Sequence, residues 1–441
     1  MKGFLERTFR LTESGTTVRR EVLGGATTFM TMSYIIFVQP VILGTAGMDK
    51  GAVMVATCLA SALATLLTGL LARYPIAQAP AMGHNVFFAV VVCGTMGYTW
   101  QVALGANFLS GIIFLVLALA GIWGKVVAAV PDSLKYGIAV GIGLLIALIG
   151  LEYGGIVVAR PGVLVALGDL SSPPVLLVLF GLALTAVLLV VRFPGAILAG
   201  ILATAAAGLP LGVVKFHGVT APVPSLAPTF LKLDIAGAIR SGLVPVIFVF
   251  LMLDVFDAIG TLIGVGSSGG FLKNGKLPRA DKAMLADAAG TVGGVLLGTS
   301  TVSSYIESVT GIAQGARTGL ANVVTSVLFL FALFFSPLAE MISGEVSSGG
   351  AILRPVIAPA LIIVGSMMMK CVKSIDWDDL TEAVPAFLCV IIMPLTLSIT
   401  EGIAFGFIAY ALLKLVAGKG RQVHWLVYAF AALFVLRYIL K

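Results

Sequence analysis

Three carboxylates lie inside stretches that are otherwise as apolar as the interior of a lipid bilayer. Asp254 and Asp257 are three residues apart in the apolar run 243–265, and Glu307 lies among small residues in the segment 299–308. A charge at bilayer depth is costly unless it faces a cavity or a partner, so such residues mark functional sites by default. Residues three apart are neighbours on a helix, so Asp254 and Asp257 share one face. The three acids therefore predict a site that binds a substrate or carries protons.

A second polar cluster interrupts an earlier apolar run. His84 and Asn85 follow two prolines, Pro75 and Pro80, and precede Phe87. Placed just before a helix start, Asn85 is expected to cap free backbone amides, to contact a ligand, or to do both. His84 is either a proton relay or a packed side chain. Phe87 either stacks on a planar ligand or fills the core.

Together the two clusters suit a small, planar, neutral heterocycle. Carboxylates accept hydrogen bonds from ring N–H groups, and free backbone amides donate to carbonyl oxygens or ring nitrogens. Neighbouring desolvated carboxylates take up a proton readily, so protonation can be linked to substrate occupancy. The predicted substrate-binding residues are Glu307, Asp254, Asn85, Asp257, Phe87, Tyr305 and Ser304, and the predicted proton-coupling residues are Asp254, Asp257, Glu307 and His84. No metal or cofactor is expected. The expected coupling ion is a proton, although the sequence does not exclude sodium in that role.

Composition sets the elements that must position these residues. The 441 residues are 59% hydrophobic and 11% charged, and the mean hydropathy is +1.10. Soluble domains carry about 25% charged residues, so the chain is predicted to be a polytopic helical protein of the lipid bilayer. The net charge of +7 comes from basic residues in short loops. These are topology signals and form no nucleic-acid-binding patch, so the N-terminus is expected on the cytoplasmic side of the cytoplasmic membrane.

Apolar runs of about 17 to 25 residues predict fourteen spans, seven in each half. Both halves contain the pattern Ala-Asn-x-x-hydroxyl, at Asn107 and at Asn322, and the same offset carries Gly83 onto Gly298. A repeat with an odd number of spans must insert with inverted topology, and interrupted segments at matching positions of such repeats point to a transporter binding site. The two interrupted spans, 75–93 and 299–314, are each predicted to be an extended piece followed by a half-helix, because proline and small polar residues break the helical ladder.

Several motifs together resemble the azaguanine-like purine permeases, a branch of the nucleobase and ascorbate transporter superfamily (nucleobase:cation symporter-2). The runs that carry the resemblance are 83–89, 96–101, 254–262, 274–282, 298–308 and 375–379. The resemblance extends from about residue 24 to about residue 415. At one position the chain departs from the pattern, since it has His84 where relatives usually have an apolar residue.

The resemblance implies fourteen spans in a seven-plus-seven inverted repeat, divided into a core domain and a gate domain. It also implies elevator-like movement of the core, a homodimer through the gate domain, and uptake of hypoxanthine, guanine or adenine with protons. The family's binding residues correspond to Asn85, Asp254, Asp257 and Glu307. The expected ranges are a cytoplasmic N-terminal segment at 1–23, the core domain at 24–122 and 236–342, the gate domain at 123–214 and 351–418, and a C-terminal apolar helix at 423–441. That last helix is either a further span or a surface helix.

Two other functions compete with purine uptake at this stage. An anion transporter of the same architecture would use the positive ends of the half-helices, but three nearby acids would repel an anion. A membrane scaffold or receptor without transport would leave the acids a structural role. No Walker loop, nucleophile elbow or zinc-protease motif occurs in the sequence, so neither an enzyme nor an ATP-driven pump is expected.

Overall fold

The computed structural model describes residues 2–121, 130–160, 162–216, 218–272, 277–342, 344–348 and 351–439. The chain divides into two compact units, one made of Met1–Ala120 with Tyr153–Ala360 and the other of Gly121–Glu152 with Leu361–Lys441. The predicted core and gate ranges follow other boundaries and stay a prediction. Some predicted features lie outside the described residues: Lys273 and Lys276 of a basic loop, the boundary at 122–123, and the end of the terminal helix at 440–441.

The fold is almost entirely helical in the described part of the chain. In chain order the helices are α1 (Lys2–Phe9), α2 (Val18–Met32), α3 (Ile35–Gly44), α4 (Lys50–Leu71), α5 (Met82–Val86), α6 (Trp100–Leu119), α7 (Asp132–Tyr153), α8 (Pro173–Val190), α9 (Ala196–Gly208), α10 (Ile235–Arg240), α11 (Val244–Ser268), α12 (Ala280–Leu297), α13 (Ser308–Ala313), α14 (Leu320–Ala332), α15 (Ser336–Ile342), α16 (Ala358–Met368), α17 (Leu380–Thr396), α18 (Ile399–Val416) and α19 (Trp425–Ile439). A π-helix (Phe87–Thr95) continues α5, and short 3₁₀ turns cover Leu333–Phe335, Met369–Ser374 and Gly420–Gln422.

Among the residues that the structure describes, six short strands form three antiparallel pairs. They are β1 (Gln78–Pro80), β2 (Val157–Arg160), β3 (Val163–Leu167), β4 (Val302–Ser304), β5 (Val346–Ser348) and β6 (Ala351–Leu353). β2 pairs with β3 and β5 with β6, and each pair is a hairpin that the sequence did not predict. The third pair joins β1 to β4, with Ala79 opposite Ser303.

Within the described residues, seven helical stretches are long and apolar enough to cross a membrane. They are Val18–Gly44, Lys50–Leu71, Trp100–Leu119, Asp132–Tyr153, Pro173–Val190, Val244–Gly266 and Leu320–Leu338. Shorter apolar helices cover Met82–Thr95, Ala196–Gly208, Leu380–Thr396 and Trp425–Leu436. The chain is therefore a multi-pass helical membrane protein, as predicted, while the count of fourteen spans and the inverted repeat stay predictions.

Both spans that were predicted to be interrupted, 75–93 and 299–314, contain an extended piece followed by a half-helix. The two extended pieces pair with each other. The first has β1 ahead of α5, and the second has β4 ahead of α13. Both extended pieces are fully buried, so their backbone groups require partners inside the protein. Pairing β1 with β4 supplies those partners. Within the interrupted span 299–314, the half-helix begins only at Ser308, because β4 occupies earlier residues.

The two asparagines of the Ala-Asn-x-x-hydroxyl pattern, Asn107 and Asn322, make similar hydrogen bonds at the two broken spans. Asn107 on α6 accepts a hydrogen bond from Thr301 Oγ1 (2.7 Å), just ahead of β4. Asn322 on α14 donates through Nδ2 to the carbonyl of Ile76 (2.8 Å), just ahead of β1. Each therefore holds the entry to one extended piece. A uniform offset does not superpose those pieces, however, because β1 precedes Gly83 whereas β4 follows Gly298.

The second unit carries a polar network at one end of α17 and α18. Asp379 caps α17 by accepting a hydrogen bond from Thr381 N at 2.9 Å. Lys419 donates to the same carboxylate at 2.7 Å, and this hydrogen bond, more than any other contact, lowers the pKa of Asp379. Lys414 is buried and lies 2.6 Å from Glu382.

In the first unit, an ion-pair cluster at Glu345 predicts a pH-dependent stability. Its carboxylate lies 3.2 Å from Lys50 Nζ and 3.1 Å from Arg354. Partial burial acts to raise the pKa of Glu345, but the hydrogen bond from Lys50 and the charge of Arg354 outweigh it, so the pKa is lowered. The stabilisation is then present above the unfolded pKa of about 4.3 and is lost as the pH falls through the folded value.

We expect Glu345→Gln to lower the free energy of unfolding by about 0.5 to 1 kcal/mol at pH 7, because the pair is partly solvated. Thermal unfolding in detergent at pH 7 and at pH 3 measures the effect, which should disappear at pH 3. Glu13→Gln, at a more exposed pair with Arg10, is the control. A Glu345→Gln defect that persists unchanged at pH 3 would show that lost packing, not charge, is responsible.

Candidate substrate site

Glu307 lies at the start of the second half-helix. It occupies the position before the first residue of α13 and is partly exposed. The hydroxyl of the buried Tyr34 donates to Glu307 Oε1 at 2.9 Å. The helix dipole favours a negative charge at this end, as the sequence predicted. One oxygen of the carboxylate is thus held by the protein, and its position is fixed.

Asp254 lies on α11 and is fully buried. His84 Nε2 is 2.9 Å from its Oδ1, and Ser110 Oγ donates to its Oδ2 at 2.9 Å. His84 is buried as well. Each carboxylate oxygen of Asp254 therefore already faces a polar atom of the protein, and in this conformation the residue acts through His84 and Ser110. Asp257, one turn further along α11, is partly exposed.

Asn85 is inside a half-helix, not ahead of it. α5 begins at Met82, so the expected cap position is wrong by one turn: the N-cap is Ala81, which has an extended backbone conformation. Asn85 Oδ1 accepts a hydrogen bond from Ser300 Oγ. Gln39 Nε2 donates in turn to Ser300 Oγ at 3.1 Å. The fully buried Asn85 therefore links the two broken spans.

The other predicted contact residues are engaged within the protein. Tyr305 donates to the carbonyl of Pro80 at 2.5 Å, which fastens β4 to β1. Ser304 donates to Asp287 Oδ2 at 3.5 Å. Phe87 is fully buried and packs edge-on against Phe250, with ring centroids 4.8 Å apart. These contacts make Tyr305, Ser304 and Phe87 part of the frame of the site, and direct contact with a substrate remains a prediction for all three.

Sequence reasoning missed two residues of this region. Tyr34 contacts Glu307, which is 273 positions away in the sequence. The only sequence feature that could have identified Tyr34 is its position among hydroxyl residues in an apolar run. Asp287, on α12, is a further buried acid. The cost of a charge in an apolar helix would have identified it by the argument applied to Asp254.

Removing the Tyr34 hydroxyl should weaken the site without dismantling it. Tyr34→Phe leaves Glu307 without its hydrogen bond, and a bond to a charged group is worth about 1.5 to 3 kcal/mol. We expect the apparent substrate affinity to fall about tenfold. Uptake kinetics measure it, and Tyr428→Phe, which removes a hydroxyl bonded to the carbonyl of Gly420, is the matched control. Equal affinity in the two variants would contradict the prediction.

The side chains of this site can do two things chemically: accept hydrogen bonds from a ligand and exchange a proton. Partly exposed carboxylates at Glu307 and Asp257 can accept N–H groups from a neutral ligand. The His84 and Asp254 pair, buried on both sides, can exchange a proton.

The chain has clear relatives among known proteins. Residues 19–405 match the family model Xan_ur_permease, described as a permease family. MJ0326 of Methanocaldococcus jannaschii is 52% identical over 99% of this chain and 98% of its own length. The adenine permease AdeP of Escherichia coli is 44% identical over 99% of this chain and 96% of its own. The guanine/hypoxanthine permease PbuG of Bacillus subtilis is 44% identical over 98% of each.

Solved structures share the fold at low sequence identity. The transmembrane domain of the cyanobacterial bicarbonate transporter BicA has a TM-score of 0.61 at 17% identity, covering 88% of this chain and 97% of that one. SLC26A9 has a TM-score of 0.63 at 12% identity, covering 91% of this chain and 66% of that one. The family match and the full-length relatives confirm the resemblance drawn from the motifs and indicate a transporter and not an enzyme. The chain therefore belongs to this permease family, among relatives named as adenine and guanine/hypoxanthine permeases.

Proposed function

We propose that the protein imports purine nucleobases across the cytoplasmic membrane by proton symport. Glu307, Asp254, Asp257 and Asn85 are the principal substrate residues, and the proton is carried among Asp254, Asp257, Glu307 and His84. The observation that supports this most directly is Glu307, a partly exposed carboxylate held at the start of a half-helix by Tyr34. A carboxylate fixed in this way accepts paired N–H groups, which purines present along one edge. The names of full-length relatives support the same substrate class.

The transport cycle that we propose is elevator-like, with a core that moves against a gate, and with a homodimer formed through the gate. The N-terminus lies in the cytoplasm. The linked β1 and β4 support a moving core, because pairing makes the two broken spans one mechanical piece. No resident cofactor is required, and a proton gradient is the driving force.

Uptake into proteoliposomes tests the proposal. Purified protein should accumulate radiolabelled hypoxanthine, guanine or adenine when the outside is made acidic, and an uncoupler should abolish accumulation. A sodium gradient at constant pH should not replace the proton gradient. Purine binding without any flux would instead favour a receptor, and the absence of both would sink the proposal.

Anion transport is the second candidate, because two fold neighbours are anion transporters by name. At 12% to 17% identity they support the fold alone. The acids on α11 and at Glu307 would repel an anion unless protonated. Bicarbonate or sulfate in large excess should leave purine uptake unchanged. Competition by either anion would favour anion transport as the function.

A further inference from the structure

One face of α2, continued by Tyr34, follows α13 and the residues on either side of it. Residues that recur every three or four positions lie on one side of a helix. The contacts along that side, from one end to the other, join Glu21 to Arg317, Gly24 to Ala316, Thr28 to Gly311, Thr31 to Thr310 and Tyr34 to Glu307. The half-helix that carries Glu307 is therefore seated against a single surface.

The middle of this surface brings two backbones into contact. A Cβ atom built at Gly311 would lie 2.4 Å from the carbonyl oxygen of Gly24. One built at Gly24 would lie 2.6 Å from the Cβ of Ala316. Glycine is needed at both positions because no side chain fits between the helices. Because closely packed segments transmit strain, a displacement at one end of α13 is transmitted to the other end.

Glu21 anchors the end of this surface that lies furthest from Glu307. It is completely buried, and its carboxylate accepts hydrogen bonds from Arg317 N at 2.7 Å, Thr318 N at 3.2 Å and Ala321 N at 3.1 Å. Ala321 is in the first turn of α14, where the helix dipole stabilises a negative charge. Glu21 thus fixes the backbone of the loop between α13 and α14.

Arg317 extends this anchor to α13 itself. Its guanidinium donates to the carbonyls of Ile312 and Ala316, each at 2.9 Å, and Ile312 is in the last turn of α13. The helix has six residues and is far too short to be stable without such partners. The end opposite Glu307 is therefore held by Glu21 through Arg317.

We propose that Glu21 is a positioning residue for the substrate site: by fixing the loop after α13, it holds Glu307 in the orientation that binds substrate. This inference rests on the proposed function for the identity of the ligand. Glu21 touches no substrate itself. Loss of the Glu21 carboxylate should therefore weaken purine binding. The loss of affinity should exceed that caused by a control substitution that lowers stability alone.

Two substitutions at Glu21 and one control separate positioning from stability. Glu21→Ala removes all three backbone hydrogen bonds, whereas Glu21→Gln keeps one acceptor oxygen and should partly rescue the site. Thr325→Val removes another buried bond between α2 and α14, from Thr325 Oγ1 to the carbonyl of Gly25 at 2.9 Å, without touching α13. Each purified variant is tested for binding of hypoxanthine, guanine and adenine, for melting temperature, and for hydrogen exchange of the 307–317 peptide.

We expect Glu21→Ala to weaken purine binding at least tenfold, Glu21→Gln about threefold, and Thr325→Val less than twofold despite a lower melting temperature. Amides of 307–317 should exchange faster in Glu21→Ala than in Thr325→Val. Unchanged affinity in Glu21→Ala, or an equal loss in Thr325→Val, would overturn the inference. If the wild-type protein binds no purine, the proposed function fails instead, and the exchange of the 307–317 peptide decides the role of Glu21 by itself.

Discussion

Glu307→Gln is expected to abolish proton-driven accumulation of purines and to weaken their binding about tenfold to a hundredfold. The substitution keeps the shape of the side chain but replaces the second acceptor oxygen by a donor. A hydrogen bond to a charged group is worth about 1.5 to 3 kcal/mol, which corresponds to that range of affinity. The amide also cannot exchange a proton, so coupling is lost even where some substrate still binds.

Two measurements separate these effects. Equilibrium binding of radiolabelled purine reports the lost hydrogen bonds, and counterflow between equal concentrations on both sides reports movement of substrate without a driving force. Weakened but measurable counterflow, with no uphill accumulation, is the expected pattern for Glu307→Gln. Glu13→Gln, at an exposed residue, is the matched acid-to-amide control. Normal accumulation by correctly inserted Glu307→Gln protein would remove Glu307 from the coupling mechanism.

The sequence could identify the polar residues of the site because each one breaks a strong rule. Asp254 and Glu307 are acids within apolar segments, and Pro75 and Pro80 interrupt a predicted span. Such violations are local, so a single sequence reveals them. The membrane class follows from composition for the same reason.

The sequence alone could not predict which segments far apart in the chain contact each other. Ser300 contacts Asn85 over 215 positions, and Arg317 contacts Glu21 over 296 positions. Ser300 and Glu21 are not unusual in their own segments, so no local rule selects them as partners. The pairing of β1 with β4 is hidden likewise, because three-residue strands leave almost no pattern. Long-range partners of ordinary residues need the fold itself.

Asp254→Asn is the second substitution with a large expected effect, because it leaves a buried imidazole facing an amide. His84 and Asp254 are both buried, and their closest atoms are 2.9 Å apart. Leaving a buried polar group without its partner costs about 1 to 3 kcal/mol. We therefore expect uptake to be lost and the melting temperature of the purified protein to fall clearly. Ser110→Ala, which removes only the neutral donor to the same carboxylate, should cost about 1 kcal/mol.

His84 decides how that result is interpreted, because its Nε2 lies 2.9 Å from Asp254 Oδ1. If the imidazole and Asp254 form an ion pair, His84→Leu relieves the stranded charge of Asp254→Asn, and the double variant is more stable than the sum of the single effects predicts. A double-mutant cycle on unfolding should then give a coupling of about 1 to 3 kcal/mol. The pH dependence of uptake should also change in His84→Leu, because the substitution removes one of the groups to which we assign the proton. A coupling near zero with an unchanged pH profile would show that His84 is only packed beside Asp254, and the proton would then have to move through Asp257 and Glu307 alone.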